Sequence, residues 1–283
     1  LAGALVMNAL ANTLPLGGRT TGELSALFPN LVVPVGLTFS IWGVIYLLVG
    51  SWALVQFLPA GRALGGALAG PFALSSALNA GWLLAWHHLR IPLSMGVMLG
   101  LLATLVVVNG RLAFRRETPP TPGAPATHAP WVTGLARAAF GVYLGWILVA
   151  TLVNATVVLV DAGWDGRPLP PEGWASAILV VGAAVAVFVL ARFRNPWVAP
   201  AVAWGYLGVA LNRWDDYRGL ALLALLPLQF VLLRFGEPHG ATDALGVMVT
   251  LGQWFALGWA LAPVSPPRFG PAASVGPRPA PHH

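Results

Sequence analysis

Long apolar runs recur along this chain, and nearly all of its charged residues lie in the stretches between them. A water-soluble domain spreads charge over its surface and carries roughly 25% charged residues. Here 57% of the 283 residues are hydrophobic and 8% are charged. That composition cannot clothe a soluble surface, whereas a bilayer demands this segregation, since an ionised side chain in hydrocarbon is costly. Helices satisfy their backbone polar groups internally, so the expected fold is all-α: a polytopic membrane helix bundle.

Requiring roughly 17 to 25 mostly apolar residues per crossing predicts about nine transmembrane helices, at 1–12, 35–57, 71–88, 91–114, 135–160, 174–194, 197–212, 218–235 and 244–262. The chain opens on Leu1 inside an apolar stretch that lacks the charged region and cleavage site of a signal peptide, so the first span is expected to be cut short at its start. The 197–212 segment is short and flanked by Pro196 and the polar cluster Asn212 to Asp216, which leaves a half-span or re-entrant piece as the alternative. Residues 117–130 and 263–283 are rich in Pro, Ala and Gly and are expected to form a flexible loop and a disordered tail.

Arginine counts set the expected orientation. Loops after the second, fourth, sixth and eighth spans hold Arg62, Arg111, Arg115, Arg116, Arg137, Arg192, Arg194 and Arg234, against Arg19, Arg90, Arg167, Arg213 and Arg218 on the other face. The first face is placed in the cytoplasm, the segment 13–34 then capping the bundle outside, and the location expected is a bacterial cell membrane.

The formal charge of +6 does not point to nucleic acid, because the arginines sit singly or in pairs at helix ends rather than in a basic patch. With no cysteine there is no thiolate nucleophile, disulfide or Cys-based metal site. All 15 basic residues are arginine, so no lysine Schiff base can form and a retinal protein is excluded.

Three apolar segments carry a similar stripe. Phe39, Trp42 and Tyr46 lie three and four residues apart; Asn79, Trp82 and Trp86 repeat the pattern; Tyr143, Trp146 and Asn154, with Thr151 beside it, supply a third. Such spacings place each set on one helical face. A Trp near a membrane surface is commonly an anchor, and a lone Asn in an apolar helix commonly bonds a neighbouring helix. Three stripes together are harder to explain in that way. They predict rings and carboxamides lining an intramembrane chamber suited to a flat ligand with few polar atoms. His87 and His88 end the third span beside Arg90 and are expected at the interface, not as metal ligands, since neighbours on a helix point about 100° apart.

The segment with Pro34, Phe39, Trp42 and Tyr46, the stretch "ALNAGWLLAWHHLRIP" and the stretch "YLGWILVATLVN" resemble the second, third and fifth helices of the TspO/MBR family, the tryptophan-rich sensory proteins related to the translocator protein. The resemblance covers about residues 1–160. It implies a five-helix bundle that binds porphyrins or similar aromatic molecules, with Trp42 and Tyr46 lining the pocket from the second helix, Asn79 and Trp82 from the third, and Tyr143, Trp146, Thr151 and Asn154 from the fifth. Residues 161–262 then form an additional four-helix membrane region outside the resemblance. Within it, Arg213, Asp215, Asp216 and Arg218 are expected to form a solvated loop with local ion pairs.

Two functions follow as expectations. The first is a receptor or sensor for a flat hydrophobic ligand of the porphyrin or tetrapyrrole kind. The alternative is a transporter or exporter of a lipophilic small molecule, although no Asp, Glu or Arg lies deep in a span to couple ions. Catalysis is not expected, because Tyr, Trp, Asn and Thr offer no carboxylate or His for proton transfer. The partners expected are the ligand and the lipid bilayer, with a homodimer left open; no cofactor or metal is expected, a porphyrin or haem entering as ligand.

Overall fold

The structure, a computed structural model, describes residues 19–117 and 129–226. Among these every regular element is helical. A short α1 (Thr21–Ala26) and a 3-10 turn (Gly36–Ser40) precede α2 (Ile41–Val55), α3 (Pro59–His87), α4 (Ile91–Glu117), α5 (Pro130–Asp161), α6 (Pro171–Phe193), α7 (Val198–Arg213) and α8 (Arg218–Ala224).

Five stretches among the described residues are long and apolar enough to cross a membrane: Gly36–Val55, Pro59–His87, Ile91–Phe114, Pro130–Asp161 and Pro171–Phe193. Large apolar side chains such as Leu47, Phe57 and Phe188 face outward, which suits a lipid exterior. The protein is an integral, multi-pass membrane protein.

Nine crossings are not borne out. The expected spans 1–12 and 244–262 lie outside the described residues, as do most of 117–130, the end of 218–235 and the tail 263–283. The 197–212 segment is one continuous helix of 16 residues, about 24 Å long at 1.5 Å per residue, with ten of them buried. It is a buried helix and not among the five membrane-length stretches. The third helix begins at Pro59, not at 71. Arg62 and a run of Gly and Ala hide its first turns from a hydropathy reading, yet proline at the first helical position is favourable. A Cβ at Gly61 would overlap the Val55 carbonyl, so the glycine is what lets α3 turn back tightly against the end of α2.

α5 is the axis of the bundle: 67% of its apolar window is buried, against 28 to 39% in the other four stretches. α2, α4 and α7 pack on it. The contact with α7 is made by small residues, as in membrane helices generally. A Cβ at Gly141 would stand 2.7 Å from both Asn195 Nδ2 and Trp197 Cβ, and one at Gly205 would stand 2.7 Å from Val149 Cγ1. α6 ends at Arg194, in the left-handed region at φ 50°, which turns the chain so that Asn195 points inward. Its Nδ2 donates to Asn109 Oδ1 at 2.9 Å and to the Arg137 carbonyl at 2.9 Å, and Asn109 Nδ2 donates to the Phe140 carbonyl at 3.1 Å. Buried amides thus bond one another where lipid offers no partner.

Candidate functional site

The three stripes converge. Trp42 on α2 stacks on Tyr46 (centroids 5.5 Å, planes 19° apart) and on Trp82 of α3 (6.2 Å, 28°), and Trp82 stacks on Trp86 (5.7 Å, 22°). Tyr46, Trp42, Trp82 and Trp86 therefore form a ladder of near-parallel rings drawn from two helices. From α5, Tyr143 and Trp146 meet Trp42 edge-on at 6.0 and 6.3 Å, and Phe39 meets Trp146 edge-on at 5.9 Å. Such pairs contribute roughly 0.5–1.5 kcal/mol each beyond area burial.

Amides tie the rings down. The Tyr46 hydroxyl donates to Asn79 Oδ1 at 2.8 Å, joining α2 to α3. Trp82 Nε1 donates to Asn154 Oδ1 at 3.1 Å, and Asn154 Nδ2 donates to Ser94 Oγ at 3.2 Å, so one carboxamide links α3, α4 and α5. Trp86 Nε1 donates to the Thr21 carbonyl at 3.3 Å, fastening α1 over the cluster. Within the cluster the buried Trp146 Nε1 has no partner.

Phe39, Trp42, Trp82, Trp86, Trp146 and Asn154 share one cavity, whose volume is about 20 Å³. That holds one water and no flat organic ligand. The expected chamber is not found: the three faces turn inward together, but their rings fill the space between them. Tyr46, Asn79 and Tyr143 buttress the cluster through the contacts above. Thr151 is placed apart: its hydroxyl donates to the Ile147 carbonyl of its own helix at 2.7 Å. Val149, Ala150 and Val153 also line the cavity; they escaped notice because aliphatic residues carry no chemical mark, although Trp146, Val149 and Val153 keep helical spacing. Pro34 and Thr21 come from the covering segment, whose path no periodicity reveals.

His87 is buried, with Nδ1 2.9 Å from the Leu83 carbonyl, and His88 is exposed. Among the described residues no three His, Cys, Asp or Glu side chains gather as a metal site.

The cover over the cavity is held from α7. The Val35 amide donates to the Gly208 carbonyl at 3.0 Å and Trp204 Nε1 to the Thr38 carbonyl at 2.8 Å. Asn212 Nδ2 donates to the Val33 carbonyl at 2.9 Å, and Arg213 donates from Nε to the Leu31 carbonyl at 3.1 Å and from Nη2 to the Asn30 carbonyl at 2.9 Å. Asp215, Asp216 and Arg218 are exposed, as expected of a solvated loop, but the expectation is corrected for Arg213 and for the local ion pairs. Arg213 is half-buried and grips the backbone of residues 30 and 31, and the ion pair found among the described residues is Arg167 with Asp165, at 3.5 Å. Asn212 and Arg213 bond carbonyls that carry no side-chain signal, which is why the sequence hid them.

α1 is capped by a reciprocal box. Glu23 N donates to Thr20 Oγ1 at 3.3 Å, while Glu23 Oε2 accepts from Thr20 N at 2.7 Å and Thr20 Oγ1 at 3.0 Å. The Thr20 amide, then its hydroxyl, holds the Glu23 carboxyl below its ordinary value. A lowered folded value means that the stabilisation is fully present above the unfolded pKa, about 4.3, and is lost as pH falls through the folded value. Acidification below about pH 4 is expected to fray α1 and lower the exchange protection factor of the Leu24 amide. In Glu23→Gln that protection factor should no longer change with acid; an unchanged profile would show that the cap is not the titrating element.

Fold and site together define an all-helical, multi-pass membrane protein whose helices bring rings and amides to one enclosed position beneath an extramembrane cover. A family model described as TSPO-like protein matches residues 1–235, and the chain belongs to that family. The matched stretch runs past residue 160 and takes in α6, α7 and α8. The chain matches no curated protein and no solved structure.

Proposed function

We propose that this TSPO-like protein is a membrane receptor or sensor for a flat hydrophobic ligand of the porphyrin or tetrapyrrole kind. The observation that supports it best is the four-ring ladder beside a buried, unpartnered Trp146 indole N–H. A buried donor without an acceptor is unfavourable by about 1–3 kcal/mol, and an acceptor on a planar guest would relieve it. With about 20 Å³ of space, a guest enters only when the rings part, Trp42 leaving its neighbours so that the ligand takes over their stacking. Entry also requires the segment 30–38 to lift, which breaks its hydrogen bonds to α7.

Saturable quenching of tryptophan fluorescence by protoporphyrin is the test, on the full chain in lipid nanodiscs. Trp146→Phe keeps the ring and deletes the donor; loss of one hydrogen bond, about 0.5–1.5 kcal/mol, should weaken binding about two- to tenfold. Trp204→Phe cuts one tie to the cover and should speed association while leaving the lining intact. If neither wild type nor Trp204→Phe shows saturable quenching, the receptor reading fails. Saturable vesicle flux that persists in Trp146→Phe would favour a transporter.

A further inference from the structure

A second cavity, of about 590 Å³, opens at the end of the bundle where the covering segment meets the α5–α6 turn and the end of α7. Its size falls within the range of small-molecule sites, roughly 300–1,000 Å³. None of the aromatic-cluster residues lines it. Apolar and aromatic side chains line it, among them Phe28, Leu31, Ile178, Trp164 and Trp174, the two indoles edge-to-face at 4.7 Å.

Two polar features stand in the lining. Arg213 spends two N–H groups on the Leu31 and Asn30 carbonyls, out of the five that a guanidinium carries. No carboxylate lies within 4.0 Å of it among the described residues: Asp165, which also lines the cleft, is engaged by Arg167, and burial lowers the Arg213 pKa against the smaller opposing pull of Tyr217 and Asp216. Ser25, 1% exposed, is among the lining residues, and its buried Oγ has no hydrogen-bond partner. A half-buried cation without a counter-ion, a buried hydroxyl without a partner and a wall of indoles make a built site for a molecule that joins an anionic group to an apolar body.

We infer that this cleft binds an amphipathic anion, its carboxylate or phosphate oxygens on the Arg213 guanidinium and its apolar body against Trp164 and Trp174. That chemistry belongs both to a lipid headgroup and to a free amphipathic acid. The two sources separate by probe. Dodecanoate is titrated calorimetrically into the full chain in neutral maltoside micelles, and phosphatidylglycerol retained from mixed nanodiscs is counted by native mass spectrometry, with dodecanol and phosphatidylcholine as neutral counterparts.

The expected result is one saturable site per chain for at least one anionic probe, the probe that binds naming the source. Arg213→Gln should weaken it at least tenfold and Arg213→Lys much less. Because Arg213 also holds the covering segment, Leu159→Glu is the decisive variant: Leu159 lines the cleft two residues before the end of α5, so a carboxylate there repels an anion without touching the Arg213 bonds. It too should cost at least tenfold. Neutral probes binding as tightly, absence of saturation with both anions, or undiminished binding in Leu159→Glu would each overturn the assignment.

Discussion

Gly145→Ala is expected to lower the midpoint of thermal unfolding by several degrees and to pry α7 from α5. A methyl at that position would overlap the Val198 carbonyl and stand 2.9 Å from Ala201 Cβ. Neither atom can retreat cheaply. Val198 opens α7, and one turn earlier Gly141 already has Asn195 and Trp197 against it. Overpacking of this kind costs about 1–3 kcal/mol, and with backbone as the obstacle the upper end applies. Gly134→Ala on the same helix has nothing within 4 Å and should be neutral or gain up to about 1 kcal/mol from helix propensity. Equal midpoints for the two variants, measured in the same detergent, would show that α7 does not depend on this contact.

Asn154→Leu should produce the second large effect. The carboxamide serves Trp82 Nε1 and Ser94 Oγ at once and is 2% exposed. Leucine has a similar volume but leaves the indole N–H buried without an acceptor, a loss of about 1–3 kcal/mol. A lower unfolding midpoint should come with a change in the near-ultraviolet dichroism of the tryptophans, because Trp82 sits between Trp42 and Trp86 in the ladder. Thr151→Val is the contrast. Its hydroxyl bonds its own helix, so the substitution should be nearly silent, and a large effect there would contradict this reading of the two positions.

How much the sequence disclosed follows the range of the interactions. Helical spacing is local, so Trp42 with Tyr46, Asn79 with Trp82, and Trp146 with Asn154 were visible as faces, and the structure brings those faces together. Whether the enclosed space is empty depends on summed side-chain volumes across three helices, which spacing does not report; the cavity is nearly filled. The length of α3 was obscured because Gly61 and Gly65 serve contact with the end of α2 and not hydrophobicity. The part played by α7 was hidden most completely. Trp204, Asn212 and Arg213 look like an interfacial ring and a polar loop until their acceptors on residues 30–38 are known.

Those acceptors lie 166 to 183 positions earlier in the chain than the donors that hold them. Synthesis runs from the amino terminus, so α2, α3 and α5 are made before the α7 residues that hold the roof, which until then has its tie from Trp86 to the Thr21 carbonyl. The roof is latched when residues 204 to 213 emerge and dock. A nascent chain that stops before α7 therefore lacks the bonds from Trp204, Asn212 and Arg213 that hold residues 30–38.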